Sequence, residues 1–351
     1  MGPRLTAQKG GGNMACYHPL HAFKIGVTGK GKDKYKITSG DIERIEYFDG
    51  KKVAVDHWNY NYIEIPCGKC IGCRLDYSRQ WANRCMLEAK QYEHNAFITL
   101  TYEDAALTFN DGANRKTGEI MKVPTLVPEE LTKFMKDLRR YYKYHYGEEG
   151  IRFYACGEYG SKNDRPHFHV IVFNLNIRDK EYLFTNSSHD KIYTSEIIRG
   201  IWGKGHVTIG DVTWNSAAYT ARYVMKKIKG KDAKKYYELL GVVPEFTRMS
   251  RREGIARNYY ENNKDKIYEL DEIILANKKG LAQKIKPCKY YDNLYDIENH
   301  EFMQKLKQKR KLEAEYAMAV QLGKTDLTKE EYLQMKERKK IAQLEKLKRT
   351  V

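Results

Sequence analysis

Ala96-Phe-Ile-Thr-Leu-Thr-Tyr102 is an alternating run that reads as a central β-strand. The chain after it alternates between the two regular periods. Residues 103–128 carry turn residues and are expected to form a loop. Glu129 to Tyr144 places Leu131, Phe134, Met135, Leu138 and Tyr142 on one helical face. Ile151 to Cys156 and His167 to Phe173 read as strands, joined by Gly157-Glu-Tyr-Gly-Ser-Lys-Asn-Asp-Arg-Pro166. A short helix follows over Ser195 to Trp202, then a strand over His206 to Ile209. Ser216 to Lys229 reads as a helix stopped by Gly230. The order β, α, β, β, α, β, α predicts an α+β fold: a ferredoxin-like antiparallel sheet with helices on one face.

Upstream, residues 14–66 alternate short β-prone pieces with Gly-rich turns: Phe23 to Val27, Lys34 to Thr38, Ile45 to Phe48, Lys52 to Val55 and Tyr62 to Ile65. A helix over 74–94, with Leu75, Trp81, Met86 and Leu87 at helical spacing, leads out of a cysteine cluster. Downstream of 231 the chain is more polar, and 297–351 predicts one or two exposed helices, either lying on a polyanion or simply solvated. Four segments are therefore expected. Residues 1–13 form a flexible leader, foreign to the chain if Met14 is the true start. Residues 14–90 form a small Cys-rich β unit, 91–230 the central domain, and 231–351 a basic, mostly helical region.

The 351 residues carry 63 Lys and Arg against 46 Asp and Glu, a formal net charge of +17. That balance favours a polyanionic partner, because phosphate contacts release counterions; the bland reading is a basic protein that binds no nucleic acid. Many of the 28 tyrosines stand beside cations, as in Arg140-Tyr-Tyr-Lys-Tyr144. Aromatic faces in a cationic groove hold single strands, although any one of these tyrosines is more simply a half-buried structural residue. No run of about 18 apolar residues is present, so no membrane helix is expected. The first residues lack the apolar segment of a secretory signal.

Chemistry concentrates in two places. On a strand His167 and His169 point to one face and Phe168 to the other, so two imidazoles can converge on a divalent ion. A His-x-His pair alone is more often structural. Glu158, at the end of the preceding strand, can bring a carboxylate beside them; otherwise it is an exposed turn residue. Two imidazoles and a carboxylate leave room for a phosphate oxygen and water. The second place is Tyr219-Thr-Ala-Arg-Tyr223-Val-Met-Lys226-Lys227. Positions four apart share a helical face, which puts Tyr219 and Tyr223 together near Lys226. Alone, this would be a helix packing its tyrosines on the sheet. A phenol, with a pKa near 10, needs a cation and a metal-bound phosphate to act as a nucleophile.

Cys67-Gly-Lys-Cys70-Ile-Gly-Cys73 places three of the seven cysteines at two-residue gaps. That spacing suits a metal better than disulfides, and the absence of a secretory signal agrees with a reducing compartment. Zn2+ takes four tetrahedral ligands. Cys16 is the preferred fourth, with Cys85 and His18 as alternatives, and free thiols as the competing reading. Cys156 and Cys288 look isolated.

With these residues quoted, the chain resembles replication initiators of the HUH endonuclease superfamily, and more narrowly the replication proteins of gokushovirus-type microviruses. Phe97-Ile-Thr-Leu-Thr-Tyr102 resembles the family's first motif, Arg165-Pro-His-Phe-His-Val170 its His–hydrophobe–His motif, and Tyr219 to Lys227 its paired-tyrosine motif. Pro66 to Arg74 is similar to the gokushovirus group. The tyrosines follow the histidines, as in rolling-circle initiators. The resemblance implies the HUH fold, with Glu158, His167 and His169 as ligands for Mg2+ or Mn2+, and Tyr219, Tyr223 and Lys226 as catalytic groups. It implies nicking of origin DNA by tyrosine transesterification, leaving a 5′-phosphotyrosine and a free 3′-OH, then a second cleavage and ligation to a circle. The order in which the two tyrosines act is not given by the sequence; Tyr223 best fits the single-tyrosine pattern Tyr-x-x-Lys and is favoured for the first attack. Arg165, Arg222 and Lys227 are the expected DNA contacts. Expected partners are single-stranded and origin DNA and the host helicase and polymerase, in the cytoplasm of a host bacterium, with no small-molecule substrate. The competing functions are a non-catalytic zinc-containing nucleic-acid-binding protein and a transposase of the same superfamily.

Overall fold

The computed structural model describes residues 16–27, 33–38, 46–48, 51–53, 62–114, 117–160, 163–222, 232–276 and 282–348. The chain is α+β, and its main feature is a seven-stranded antiparallel sheet. Across the sheet the strands run Glu181–Thr185, Lys191–Thr194, Gly205–Gly210, Asn95–Tyr102, Pro166–Phe173, Arg152–Tyr159, Phe246–Met249. Asn95–Tyr102 is central, flanked by Gly205–Gly210 and by the histidine strand Pro166–Phe173. Numbered by chain order, the four inner strands lie 4-1-3-2, the arrangement expected of a βαββαβ unit.

Strand alternation decides what each face holds. Ala96, Ile98, Leu100 and Tyr102 share one face with Phe168, Val170 and Val172, all buried in a single apolar cluster. Helix Pro128–Tyr146 adds Leu131, Phe134, Met135, Leu138 and Tyr142, and helix Glu196–Trp202 adds Ile198 and Trp202. The first helix starts at Pro128, where a missing N–H does no harm, with Glu129 and Glu130 in its positive first turn. It ends at Gly147, whose φ of 68° suits glycine. The second is capped by Ser195, whose Oγ accepts from the Ile198 N–H at 3.1 Å.

The opposite face is covered too, which departs from the expectation of helices on one face. Helix Ile71–Ala89 stacks Trp81 on Tyr154, with centroids 4.8 Å apart. Helix Trp214–Arg222 buries Ala217, Ala218 and Ala221. The Ser78 hydroxyl donates to the Ala218 carbonyl at 2.9 Å, and the Trp214 indole donates to Asn83 at 2.8 Å, fastening these two helices together. The βαββαβ unit does keep its own helices on one side. The helices before and after it close the other.

Other features were not anticipated, among them the hairpin of the exposed strand Glu181–Thr185 with Lys191–Thr194 at the sheet edge. Residues 103–128 hold a hairpin, Phe109–Ala113 with Ile120–Pro124. The chain beyond 231 returns to the sheet, adding Phe246–Met249 beside Arg152–Tyr159. Gly157 makes that possible: a Cβ there would lie 2.7 Å from the Phe246 ring. Helix Ile71–Ala89 ends before residue 94 because the Asn95 amide donates to the carbonyls of Ala89 and Tyr92, at 3.0 and 3.1 Å.

The described residues between 77 and 304 form one compact unit; those between 16 and 76 and between 305 and 348 form a second. The second contains a three-stranded sheet ordered Asp33–Thr38, Leu20–Val27, Tyr62–Ile65, and the long helix Lys329–Lys348. His18 pairs with Glu337 at 2.5 Å, and Lys329 pairs with Glu64. The described residues of 16–76 and 305–348, far apart along the chain, therefore belong to one body. Among the described residues no helix is long and apolar enough to cross a membrane.

Candidate active site and thiol cluster

The register places Glu158 directly opposite His167 on the neighbouring strand, with Cys156 opposite His169. On the other side Thr101 faces His167 and Thr99 faces His169. All lie on the face turned away from the Phe168 cluster. Both imidazoles aim Nε2 at one atom: Glu158 Oε1 is 2.8 Å from His167 Nε2 and 3.1 Å from His169 Nε2. The three ligand atoms lie within 4.8 Å of one another. Glu158 is 1 % exposed and His169 6 %.

The far side of each ring is also held. His167 Nδ1 donates to the Arg165 carbonyl at 3.1 Å, and His169 Nδ1 lies 3.0 Å from the Thr99 hydroxyl. A carbonyl only accepts, so His167 carries its proton on Nδ1. The Nε2 lone pair then faces a buried carboxylate oxygen. Two acceptors at that distance require a cation between them, either a proton or a metal ion, so the donor set fits a divalent ion. Burial works to raise the Glu158 carboxyl, but hydrogen bonds and charge from His167 and His169 outweigh it and hold the group below its ordinary value.

The tyrosine helix starts at a reciprocal cap. Ser216 Oγ accepts from the Thr213 N–H at 2.8 Å, and Thr213 Oγ1 accepts from the Ser216 N–H at 3.1 Å. This start brings Tyr219 against the site: its ring stands edge-on to His169, centroids 5.1 Å apart. Tyr219 remains 38 % exposed. Burial and the Glu158 charge push its phenol well above the ordinary value, with Arg222 opposing them. The phenol is therefore protonated at neutral pH.

Arg222 closes the described part of this helix and is exposed. Tyr223, Lys226 and Lys227 lie outside the described residues. Arg165 donates to Asp104 and to the Tyr102 carbonyl, both at 2.6 Å, so its guanidinium ties the histidine strand to the end of the central strand. Neither Phe97 nor Thr99 stands out in the sequence as a site residue. Phe97 lies parallel to His169 at 5.5 Å and 11°. Their signal is period-two spacing within the central strand; the missing information is which strand lies beside it.

In the second unit Cys16 joins Cys67, Cys70 and Cys73, with all four sulfurs within 4.8 Å of one another. Cys67 and Cys73 are 3.9 Å apart, Cys16 and Cys70 4.0 Å. No pair is at bonding distance, since a disulfide needs about 2.05 Å. A tetrahedral zinc with Zn–S of about 2.3 Å has sulfur–sulfur edges of about 3.8 Å. Backbone N–H groups of Tyr17, Cys67, Lys69 and Cys70 point at these sulfurs at 3.3–3.4 Å, as suits thiolates. Cys85 is buried in the other unit and His18 is paired with Glu337, so neither joins the cluster.

The profile of the family described as Replication-associated protein ORF2/G2P matches residues 95–228, a span running from the central strand through both site motifs. The chain is 37 % identical over 303 residues to Replication-associated protein ORF2 of Spiroplasma virus 4, covering 85 % of this chain and 86 % of that protein. This chain belongs to the replication-associated proteins of that family. Two further relatives agree. Replication-associated protein VP4 of Bdellovibrio phage phiMH2K is 29 % identical over 293 residues, 82 % of this chain and 83 % of its own. Replication-associated protein ORF4 of Chlamydia phage 1 is 34 % identical over 167 residues, 46 % of this chain and 38 % of its own. No solved structure matches the chain. The resemblance to microvirus replication proteins read from the motifs is thus borne out for this replication-associated protein.

Proposed function

We propose that this replication-associated protein initiates rolling-circle replication of a single-stranded DNA phage, by nicking origin DNA with a tyrosine. The observation that carries this reading is the convergence of His167, His169 and Glu158 on one point, with the exposed Tyr219 ring against His169. The 4-1-3-2 order of the inner strands supports reading the domain as an HUH endonuclease fold.

Glu158, His167 and His169 would hold Mg2+ or Mn2+, which supplies positive charge that favours the phenolate and neutralises developing charge on phosphoryl oxygens. The chain's own residues do the rest. The Thr213–Ser216 cap and the buried alanines orient the tyrosine helix. Tyr219 or Tyr223 attacks phosphorus: a Tyr–O–P bond forms, the bond from phosphorus to the 3′ oxygen breaks, the phenol proton leaves, and the 3′ oxygen takes up a proton. The products are a 5′-phosphotyrosine and a free 3′ hydroxyl. One phosphodiester replaces another, so the step reverses without ATP. The other tyrosine of the pair is assigned the second attack, at the regenerated junction; the 3′ hydroxyl released there attacks the first phosphotyrosine, which frees that phenol and closes the circle, with Lys226, Arg222, Lys227 and Arg165 as phosphate contacts. The free 3′ hydroxyl would prime host polymerase behind a host helicase in the bacterial cytoplasm. The thiol cluster is assigned a structural Zn2+, supported by its sulfur spacing and N–H contacts.

The test is a labelled single-stranded origin oligonucleotide with Mn2+ or Mg2+. A covalent protein–DNA adduct is expected, lost with chelator and lost when Tyr219 and Tyr223 both become Phe. Salt-sensitive binding with no adduct would instead favour a non-catalytic nucleic-acid-binding protein, and transfer into a new target strand a transposase.

A further inference from the structure

The two imidazoles are steadied in different ways. His167 Nδ1 donates to a backbone carbonyl, which no substitution removes. His169 Nδ1 meets a side chain, the Thr99 hydroxyl, at 3.0 Å. Thr101 occupies the equivalent place opposite His167, yet the imidazole there turns to the Arg165 carbonyl. From this asymmetry we infer that Thr99 is a positioning residue for the metal site: it fixes the ring orientation and tautomer of His169. The inference rests on the metal-site reading proposed above.

Thr99 suits the task for a stated reason. A β-branched side chain on a strand has little χ1 freedom, so its hydroxyl stays where the backbone puts it. As acceptor from His169 Nδ1–H, the hydroxyl leaves the Nε2 lone pair facing Glu158, where a cation belongs. Without the hydroxyl, the buried Nδ1–H loses its partner, and the other tautomer, with its proton on Nε2, becomes available. That tautomer has no lone pair on Nε2, the nitrogen that faces Glu158. His169 is also the ring on which Tyr219 rests and against which Phe97 stacks. Thr99 therefore fixes a ligand and, through it, the support of the nucleophile.

The experiment measures Mn2+ affinity of the full chain by electron paramagnetic resonance, and the His169 tautomer by 15N NMR. Thr99→Val keeps shape and strand preference and removes only the hydroxyl. It is expected to weaken Mn2+ binding about 10–100-fold, the usual effect of losing an outer-shell partner, and to mix the His169 tautomers. Thr99→Ser restores the oxygen and is expected to bind like the wild type. If the Val variant is unstable, Thr99→Ala against Thr99→Ser carries the same comparison. Wild-type affinity in Thr99→Val, with binding abolished in His167→Ala, would overturn the role of Thr99 alone. Wild-type affinity in His167→Ala would overturn the metal site, and this inference with it.

Discussion

Phe168, the middle residue of the His–hydrophobe–His run, joins the site to the fold. It is fully buried, its ring 6.0 Å from Tyr102, 5.8 Å from Trp202 and 6.1 Å from Phe246. Phe168→Ala removes all three ring contacts and leaves a cavity. A buried Phe→Ala change costs about 3–5 kcal/mol. Three aromatic neighbours, each contributing roughly 0.5–1.5 kcal/mol beyond area burial, place this case near the upper end. A domain's whole stability is about 5–15 kcal/mol, so a third or more should be lost. With a urea slope of about 2 kcal/mol/M, the midpoint should fall by roughly 2 M. Phe168→Leu, which keeps most of the volume, should lose about 1–2 kcal/mol. Urea unfolding followed by tryptophan fluorescence measures both, since Trp202 touches the site of change. A loss below about 1 kcal/mol for Phe168→Ala would refute the claim that this ring seats the histidine strand.

Glu158 predicts a pH signature in the metal-free protein. Its carboxyl lies below the ordinary value in the folded state, so its ionised form contributes stability that is full above about pH 4.3 and lost as pH falls through the folded value. Urea titrations from pH 6 downward should show wild-type stability falling more steeply below that point than Glu158→Gln; equal slopes would contradict the account. Cys16→Ala should remove one corner of the thiol cluster, lowering bound zinc, measured by metal analysis, and raising proteolytic sensitivity of residues 16–76. Unchanged zinc content would exclude Cys16 as a ligand.

Much of this was readable from residues, and the failures share a cause. The central strand alternates fully and partly buried residues, so alternation marked it, whereas the histidine strand is buried on both faces and reads as an apolar run that starts at Pro166. Glu181–Thr185 is exposed along its whole length and carries no alternation. In Phe109–Ala113 the run Asn110-Asp-Gly112 reads as a turn, yet Gly112 is there because a Cβ would lie 2.1 Å from the Leu240 carbonyl oxygen. The Glu158–His167–His169 cluster was legible because Glu158 and His167 meet across one short hairpin. Cys16 reaches Cys67 over 51 residues, and the choice rested on its N-terminal place. His18 and Glu337 are 319 residues apart. No local pattern ties the charged C-terminal helix to the cysteine unit. Thr99 stood inside a quoted motif, but its role depends on the neighbouring strand's register, which only the fold supplies.

The central claim is that a tyrosine of this helix bonds covalently to DNA. The most direct measurement is mass spectrometry of the tryptic peptide carrying nucleotide after reaction with a single-stranded origin oligonucleotide and Mn2+. The account predicts a phosphodiester on Tyr219 or Tyr223, absent with chelator. Nucleotide attached at any other residue, or cleavage of the oligonucleotide with no attached nucleotide, would contradict it.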